Sequence, residues 1–524
     1  MRSSRPVARC TLHVAPLLAY LVLAGPLAAQ ARSNYEELQA FSGVLNHIRL
    51  NYVDSVTYGR LVRAAIDGVL RALDPHSYYV SRAETEQEGM IQRGELGVIG
   101  VYLELVDGVP TVLAVVPDGP ADDRGVMPGD RLVAIDDTSV AGLELHQVRI
   151  RLAGRNGSRV RLTLERGPRL EPERMLVRVR RGEVHDRSIG HSEMLDDSTG
   201  YVWLSGFGDE AADQLEDVLN GMRGRMRRLV LDLRANPGGR VDQSVEIASL
   251  FFPRNTLVFR VRGRKSDVDE DFITRRDGRY RDLPMIVLID ERSASASEAL
   301  AGSLQDHDRA LLIGRRSFGK ALMQTVFLVP GGDNVWLTVG RVLSPSGRFI
   351  QRRYAGLTSE QYRQLAGQGG AGEDTTETFA TDRGRLVRGG GGIVPDLILP
   401  SRTAFPVWYT AAADTGLDAL VADSVAFTLP EAPEALDAWA ADTAAWRERL
   451  LIPFLALVRG RLGVRAEPSE DAARLIAWRL AERAAEVRWG MVAGARFAMR
   501  TDVGIGEALR AFARLPALLA PPGN

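Results

Sequence analysis

Pro284-Met-Ile-Val-Leu-Ile289 runs through Asp290-Glu-Arg292 into Ser293-Ala-Ser-Ala-Ser-Glu298, and a helix-like run continues to Asp306. A short, uninterrupted apolar run bounded by polar residues reads as a buried strand. Small hydroxyl residues therefore stand where a strand gives way to a helix. A nucleophile at such a turn is exposed, and the next backbone N–H groups can face a developing oxyanion. Downstream, Ser317-Phe-Gly-Lys-Ala-Leu-Met-Gln324 sets one lysine beside a glycine, close to a new apolar strand predicted over Thr325–Val329. A lysine partly buried there loses basicity, because desolvation disfavours the ammonium. Serine with a neutral lysine can replace the serine–histidine pair in acyl transfer. Peptide-bond hydrolysis is the expectation.

The alternation around this segment is that of an α/β domain. Strands are predicted over Tyr201–Leu204, Leu229–Leu233, Met285–Ile289 and Ala310–Ile313. Helices are predicted over Asp209–Met222, Gln243–Phe252 and Glu298–Asp306. Arg264–Asp282 and Thr358–Thr376 read as loops. The domain spans residues 186–400, and the chain is multidomain. Residues 34–93 read as helical, with apolar positions at three- and four-residue spacing from Leu38 to Ile48 and from Leu61 to Leu70. Asp74-Pro75 ends that pattern, since proline disfavours helical geometry in the residue before it. Residues 401–524 are rich in Ala, Arg, Glu and Leu and helical, notably Asp437–Leu451 and Glu470–Ala498, and carry no readable motif.

Residues 94–168 are β-rich and punctuated by Gly, Pro and Asp. Gly97-Val-Ile-Gly-Val-Tyr-Leu103, Gly119-Pro-Ala121 and Gly125-Val-Met-Pro-Gly-Asp-Arg-Leu-Val-Ala-Ile135 resemble the corresponding runs of a PDZ domain. Such a domain pairs an extended peptide with an open strand edge and holds the terminal carboxylate on loop N–H groups. The resemblance makes Gly97, Val98, Ile99, Gly100 and Val101 the peptide-binding residues.

Composition narrows the class. The 524 residues hold 66 basic and 67 acidic side chains, a formal net charge of −1, which gives no pointer to nucleic acid or an acidic membrane surface. Arg2, Arg5 and Arg9, the apolar run Val14–Leu27 and Ala29-Gln30-Ala31 read as a secretory signal covering residues 1–31. The alternative is an uncleaved anchor, although Pro16 and Pro26 interrupt the run, which is well under ~20 residues. The one cysteine, Cys10, lies inside this segment. The expected compartment is the cell envelope, periplasmic or otherwise exported, with stability resting on core packing rather than disulfides.

Several runs, taken in order, resemble the carboxyl-terminal processing peptidases, or tail-specific proteases, which are Ser–Lys endopeptidases. They are Leu73-Asp-Pro-His-Ser77, the PDZ-like block, Leu231-Asp-Leu-Arg-Ala-Asn-Pro-Gly-Gly239, Ser293–Glu298, Leu304-Gln-Asp306, Ser317–Lys320, Ser344-Pro-Ser-Gly-Arg348 and Gly391-Gly-Ile-Val-Pro-Asp396. The resemblance covers roughly residues 35–400 and implies a ClpP/crotonase-like protease core. Sequence chemistry alone does not choose among Ser293, Ser295 and Ser297. The resemblance implies Ser295 as nucleophile, Lys320 as general base, Gln324 as the residue that aligns the lysine, and Gly238 and Ala296 N–H as oxyanion donors. Gly239 stays open as an alternative to Gly238. Ala321 stands where the family usually has glycine, which asks for ordinary φ/ψ there and narrows the adjoining cleft.

A histidine-based triad finds no support in the sequence. His307, the nearest histidine, lies twelve residues past Ser295, roughly 18 Å along a helix at ~1.5 Å per residue and too far for a hydrogen bond, and the other six histidines show no motif context beyond His76. No zinc-ligand spacing such as His-x-x-x-His occurs, so no metal or organic cofactor is expected. The expected partners are proteins or peptides with free C-terminal tails, and a second copy or an adaptor at the C-terminal helical region. The rival reading is a non-catalytic peptide-binding scaffold that retains the fold.

Overall fold

The structure, a computed structural model, describes residues 33–520 apart from 93–94, 107, 117–118, 128, 144, 167–172, 185–187, 358–360, 363–364, 366–376 and 401–404. The expected signal segment, residues 1–31, lies outside the described residues. The chain divides into two units, one ending at Val69 and the other beginning at Leu70.

The first unit holds α1 (Asn34–Asn51) and most of α2 (Tyr58–Arg71). Ser33 and Glu36 form a reciprocal capping box, each side chain bonding the other's backbone N–H at 3.3 and 2.7 Å. Of the predicted stripe on α1 only Leu45 is buried, and Leu38, Phe41 and Val44 are exposed.

In the second unit, β1 (Tyr78–Val80) corrects the helical reading of residues 34–93, for it pairs with Asn334–Trp336 far along the chain. Helix α3 (Arg82–Gln92) follows. Next come β2 (Leu96–Gly97), β3 (Val101–Val106), β4 (Val109–Val115), β5 (Arg131–Ile135), β6 (Thr138–Ser139), α4 (Leu145–Leu152), β7 (Gly154–Arg155), β8 (Arg159–Arg166) and β9 (Glu173–Arg180). Their main sheet runs β3-β4-β5-β8-β9, with β6 on β5 and β2 paired separately with β7. Strand β9 extends this domain past residue 168, and its Met175, Val177 and Val179 close the small apolar core. Strand β3 is an edge of the sheet, and α4 lies against it.

The α/β domain is built on a six-stranded sheet. Its members are β10 (Ile189–Met194), β11 (Thr199–Leu204), β12 (Arg228–Asp232), β15 (Met285–Ile289), β16 (Leu311–Gly314) and β21 (Leu397–Ile398), in that order. All neighbours after the β10–β11 pair are parallel. One face carries Leu229, Leu231, Met285, Val287 and Leu312, packed on α5 (Ala211–Met222), α6 (Val241–Ala248) and α7 (Ala296–Asp306). The opposite face carries Val230, Ile286, Leu288, Leu311 and Ile313. Strands buried on both faces need no polar alternation, which is why β15 reads as an unbroken apolar run.

A second sheet joins β1, β18 (Asn334–Leu343), β13 (Leu257–Gly263) and β14 (Glu270–Ile273), with β17 (Leu322–Leu328) on β18; β19 (Thr378–Ala380) and β20 (Leu386–Arg388) form a separate hairpin. Strand β14 falls inside a segment read as loop. Its Glu270-Asp271 start is polar because it sits exposed at the sheet edge.

The C-terminal region forms α8 (Val407–Asp414), α9 (Leu417–Ala426), α10 (Ala435–Ala441), α11 (Thr443–Trp446), α12 (Ile452–Leu462), α13 (Glu470–Trp489), α14 (Met491–Arg500), α15 (Val503–Ala511) and α16 (Leu515–Leu518). Gly490, at φ 92°, splits the long helix predicted over Glu470–Ala498. Helices α8 to α14 share their own apolar core. Helix α15 and the residues after it instead lay Ile505, Ala508, Phe512, Leu515 and Leu519 on the second face of the six-stranded sheet. Among the described residues no helix is long and apolar enough to cross a membrane.

Candidate active site

The turn after β15 separates the three serines by environment. Ser293 is buried; its hydroxyl donates to the Leu233 carbonyl at 2.8 Å and accepts from the Asp290 N–H at 2.9 Å. Ser297 is fully buried, and its hydroxyl donates to the Asn236 carbonyl at 2.9 Å. Ser295 is half-buried and lines a cavity of about 20 Å³, room for one water-sized group. Its backbone is strained, with φ 57° and ψ −114° at the N-cap of α7. A non-glycine residue takes such angles only where its surroundings force them.

Lys320 lines the same cavity, together with apolar Phe259, Val342 and Ile350. Burial among these walls pushes its ammonium below the usual lysine range, while the Glu298 and Asp74 carboxylates pull it back up. Ala321 lines the cavity too, with ordinary backbone angles. Its N–H donates to Gln351 Oε1 at 2.8 Å.

Glu298 ties the two halves together. This fully buried carboxylate accepts from the N–H groups of Ser295 (2.9 Å), Gly319 (2.7 Å) and Lys320 (2.9 Å), and from the Ser317 hydroxyl (2.5 Å). Burial pushes the carboxyl up, and the four donors oppose that shift. Its role went unread in the sequence, although serine followed three residues later by glutamate at a helix start is a capping-box signal. The lysine loop is also pinned from behind. Gly319 has φ 91°, and a Cβ there would come within 2.9 Å of Arg352 Cβ. Arg352 Nε donates to the Phe318 carbonyl at 2.8 Å, and Ser317 Oγ accepts from the Ile393 N–H at 2.6 Å. Ser317–Lys320 and Gly391–Asp396 thus meet in space.

The loop after β12 faces Ser295. A Cβ on Gly238 (φ 97°) would sit 3.0 Å from both Ser295 Cβ and the Ala296 nitrogen, so only glycine allows this approach. Gly239 faces Phe207 instead, where a Cβ would meet the Phe207 carbonyl oxygen at 2.4 Å. The Gly238 N–H donates to Asn236 Oδ1 at 2.9 Å, whereas the Ala296 N–H has no hydrogen-bond partner among the described residues. Gln324 does not line the cavity. Its Nε2 donates to the His76 carbonyl at 3.1 Å, in the turn that buried Asp74 holds by accepting from the His76 and Ser77 N–H groups, both at 2.8 Å.

In the β-rich domain the five expected residues separate into two roles. Gly97 pairs with Gly154, and Val98 exchanges both backbone bonds with Gly182 at 2.9 Å. These two anchor the loop. Ile99 and Gly100 use their carbonyls, which accept from Ala121 and Val116 at 2.9 Å, while their N–H groups have no partner among the described residues. Val101 opens the edge strand β3.

Residues 198–362 match Peptidase family S41, and residues 111–166 match a PDZ domain. A carboxy-terminal-processing protease of Bartonella bacilliformis is 31% identical over 343 residues, covering 63% of this chain and 76% of that protein. A probable CtpA-like serine protease of Staphylococcus haemolyticus is 29% identical over 348 residues, 65% of this chain and 68% of that protein. Among solved structures, the photosystem II D1 C-terminal processing protease is similar at 22% identity and a TM-score of 0.48, over 71% of this chain and 95% of its own.

Proposed function

We propose, for a chain that belongs to the carboxy-terminal-processing proteases of peptidase family S41, that Ser295 is the nucleophile and Lys320 the general base of peptide-bond hydrolysis. The observation that carries this reading is the shared cavity, where apolar walls favour the neutral amine beside the one serine of the three that is not buried. Neutral Lys320 takes the hydroxyl proton as Ser295 Oγ bonds to the substrate carbonyl carbon. The tetrahedral oxygen is received by the Ala296 N–H and by the Gly238 N–H, which leaves Asn236 Oδ1 as substrate binds. Lys320 then passes its proton to the leaving amine, the C–N bond breaks, and water attacks the resulting ester by the same route. Gln324, whose Nε2 donates to the His76 carbonyl, is assigned the part of aligning the lysine amine.

The PDZ domain receives the substrate tail as an added strand on β3, with the terminal carboxylate on the Ile99 and Gly100 N–H groups. Envelope proteins with free C-terminal tails are the substrates this reading predicts, after export directed by residues 1–31. N-terminal sequencing of the native protein tests that export, and a start just after Ala31 is expected. The helical region is also where a second copy or an adaptor would bind, through exposed residues such as Leu420 and Phe427; mass measurement in solution tests this. The decisive experiment incubates the mature chain with an unstructured, tail-bearing polypeptide. Ser295→Ala should be inert yet still bind tail peptides, and equal cleavage by both forms would overturn the assignment. The scaffold reading is not favoured in a family of proteases.

A further inference from the structure

The helices after Pro400 supply nothing to the reaction as described, yet one of their side chains reaches the segment that carries the catalytic loop. Strand β12 ends at Asp232 and continues as Leu233-Arg234-Ala235-Asn236. The Arg234 guanidinium lies between two carboxylates. Buried Asp232 accepts from its Nε at 3.0 Å and its Nη2 at 2.6 Å, and also takes the Tyr201 hydroxyl at 2.8 Å. On the other side Asp502 accepts from Nη1 with both oxygens, at 3.0 and 2.9 Å. Asp502 is the N-cap of α15, where its Oδ1 also takes the Ile505 N–H at 2.8 Å. The approach is tight: a Cβ on Gly504 would come within 3.1 Å of Arg234 Nη1.

The residues that follow Arg234 are held in an unfavourable geometry. Ala235 has φ 58°, and its N–H donates to Asp290 Oδ1 at 2.9 Å. Asn236 is fully buried; its Nδ2 donates to the Leu204 carbonyl at 2.8 Å and its Oδ1 holds the Gly238 N–H. Its carbonyl accepts from the Ala294 N–H at 3.0 Å and the Ser297 hydroxyl at 2.9 Å, on either side of Ser295. A strained turn keeps its shape only while its flanks are over-determined.

We propose that Asp502 is a positioning residue for the Gly238–Ser295 turn, so that the C-terminal region forms part of the catalytic apparatus. The inference rests on the Ser295 and Gly238 roles proposed above. Asp502 does not act by neutralising an otherwise orphaned charge, because Arg234 keeps Asp232 when Asp502 is lost. Its part is to hold the guanidinium from the far side, so that Arg234, and with it the start of the loop, cannot swing toward Asp232. Loss should therefore appear in the chemistry more than in the fold.

Asp502→Asn and Asp502→Ser both retain an N-cap side chain while removing the charge, so α15 should survive in each. Both are compared with wild type as the mature full chain, with active sites counted by a fluorophosphonate that labels Ser295. Turnover per counted site should fall about ten- to hundredfold, the loss that follows misplacement or weakening of oxyanion donors. KM and the affinity for a free tail peptide should stay as in wild type. Affinity for a peptide aldehyde, which forms a tetrahedral adduct on the serine, should fall with turnover. Wild-type turnover per counted site in both variants would overturn the proposal, as would a loss explained wholly by fewer countable sites. If Ser295→Ala were active, the underlying reading would fail and this inference with it. If Ser295→Ala were inert and Asp502→Asn fully active, only the role of Asp502 would fall.

Discussion

The backbone N–H groups of Ser295 and Lys320 converge on one atom, Oε2 of Glu298, at 2.9 Å each. The proposed nucleophile and base, twenty-five residues apart in the chain, are thereby registered through a single buried carboxylate. Glu298→Gln tests this link. The amide keeps one oxygen for two of the four donors and turns its NH2 toward the other two, and each buried donor left unpaired costs about 1–3 kcal/mol. Both melting temperature and turnover should drop, whereas a surface carboxylate replaced in the same way would leave both unchanged.

With Lys320 as the proposed base, the lysine should set the pH dependence. Burial lowers the Lys320 ammonium from its usual range, so the neutral form that the proposed mechanism requires accumulates as pH rises through that lowered value. The rate should climb on a limb lying below ~10.4, the value for a lysine in water. Lys320→Arg should be inactive, because a guanidinium does not deprotonate. Turnover by that variant would rule out the Ser–Lys mechanism.

Asp74 moves the same limb. Its negative charge favours the Lys320 ammonium, so removing the charge lets the lysine deprotonate at lower pH. Asp74→Asn keeps an oxygen for the His76 and Ser77 N–H groups, and its rate profile should shift to the acid side. A profile that stayed in place would show that Asp74 serves only the turn.

The flanking serines should behave unlike Ser295. Ser293→Ala and Ser297→Ala each remove a buried hydroxyl that bonds backbone, at a cost of about 1–2 kcal/mol in stability. Each should retain turnover at temperatures where it is folded. Complete inactivity in a folded Ser293→Ala or Ser297→Ala protein would move the nucleophile.

In the proposed mode of tail recognition, the Ile99 and Gly100 N–H groups take the terminal carboxylate. Amidating a peptide's C-terminus removes a charge and an acceptor oxygen, and a charge-assisted hydrogen bond is worth roughly 1.5–3 kcal/mol. Affinity should fall about ten- to hundredfold, as measured by calorimetry. Val101→Asp should mimic the loss without touching Ser295 or Lys320. Equal binding of acid and amide tails would remove carboxylate recognition from this domain.

Local sequence determined the parts of this protein that depend on short-range pattern. The apolar run Met285–Ile289 is a strand with those bounds, and the small residues after it make the turn that bears Ser295. The Gly97–Val101 loop likewise leads into an edge strand, and the family resemblance placed a lysine where the structure has Lys320 facing the same cavity as the serine. What sequence left open required distant residues to meet. Ser293, Ser295 and Ser297 are alike in composition of neighbours, and they part only because Leu233 and Asn236 arrive from another strand to take two of the hydroxyls. Strand β1 was invisible because three residues show no period, and its partner lies at Asn334–Trp336. The C-terminal region carried no motif for the same reason. A strand such as Met285–Ile289, apolar on both faces, demands cover on both, yet nothing in its own residues says which later segment provides it. Tertiary packing assigned that face to Ile505, Ala508 and Phe512, and in doing so brought Asp502 to Arg234.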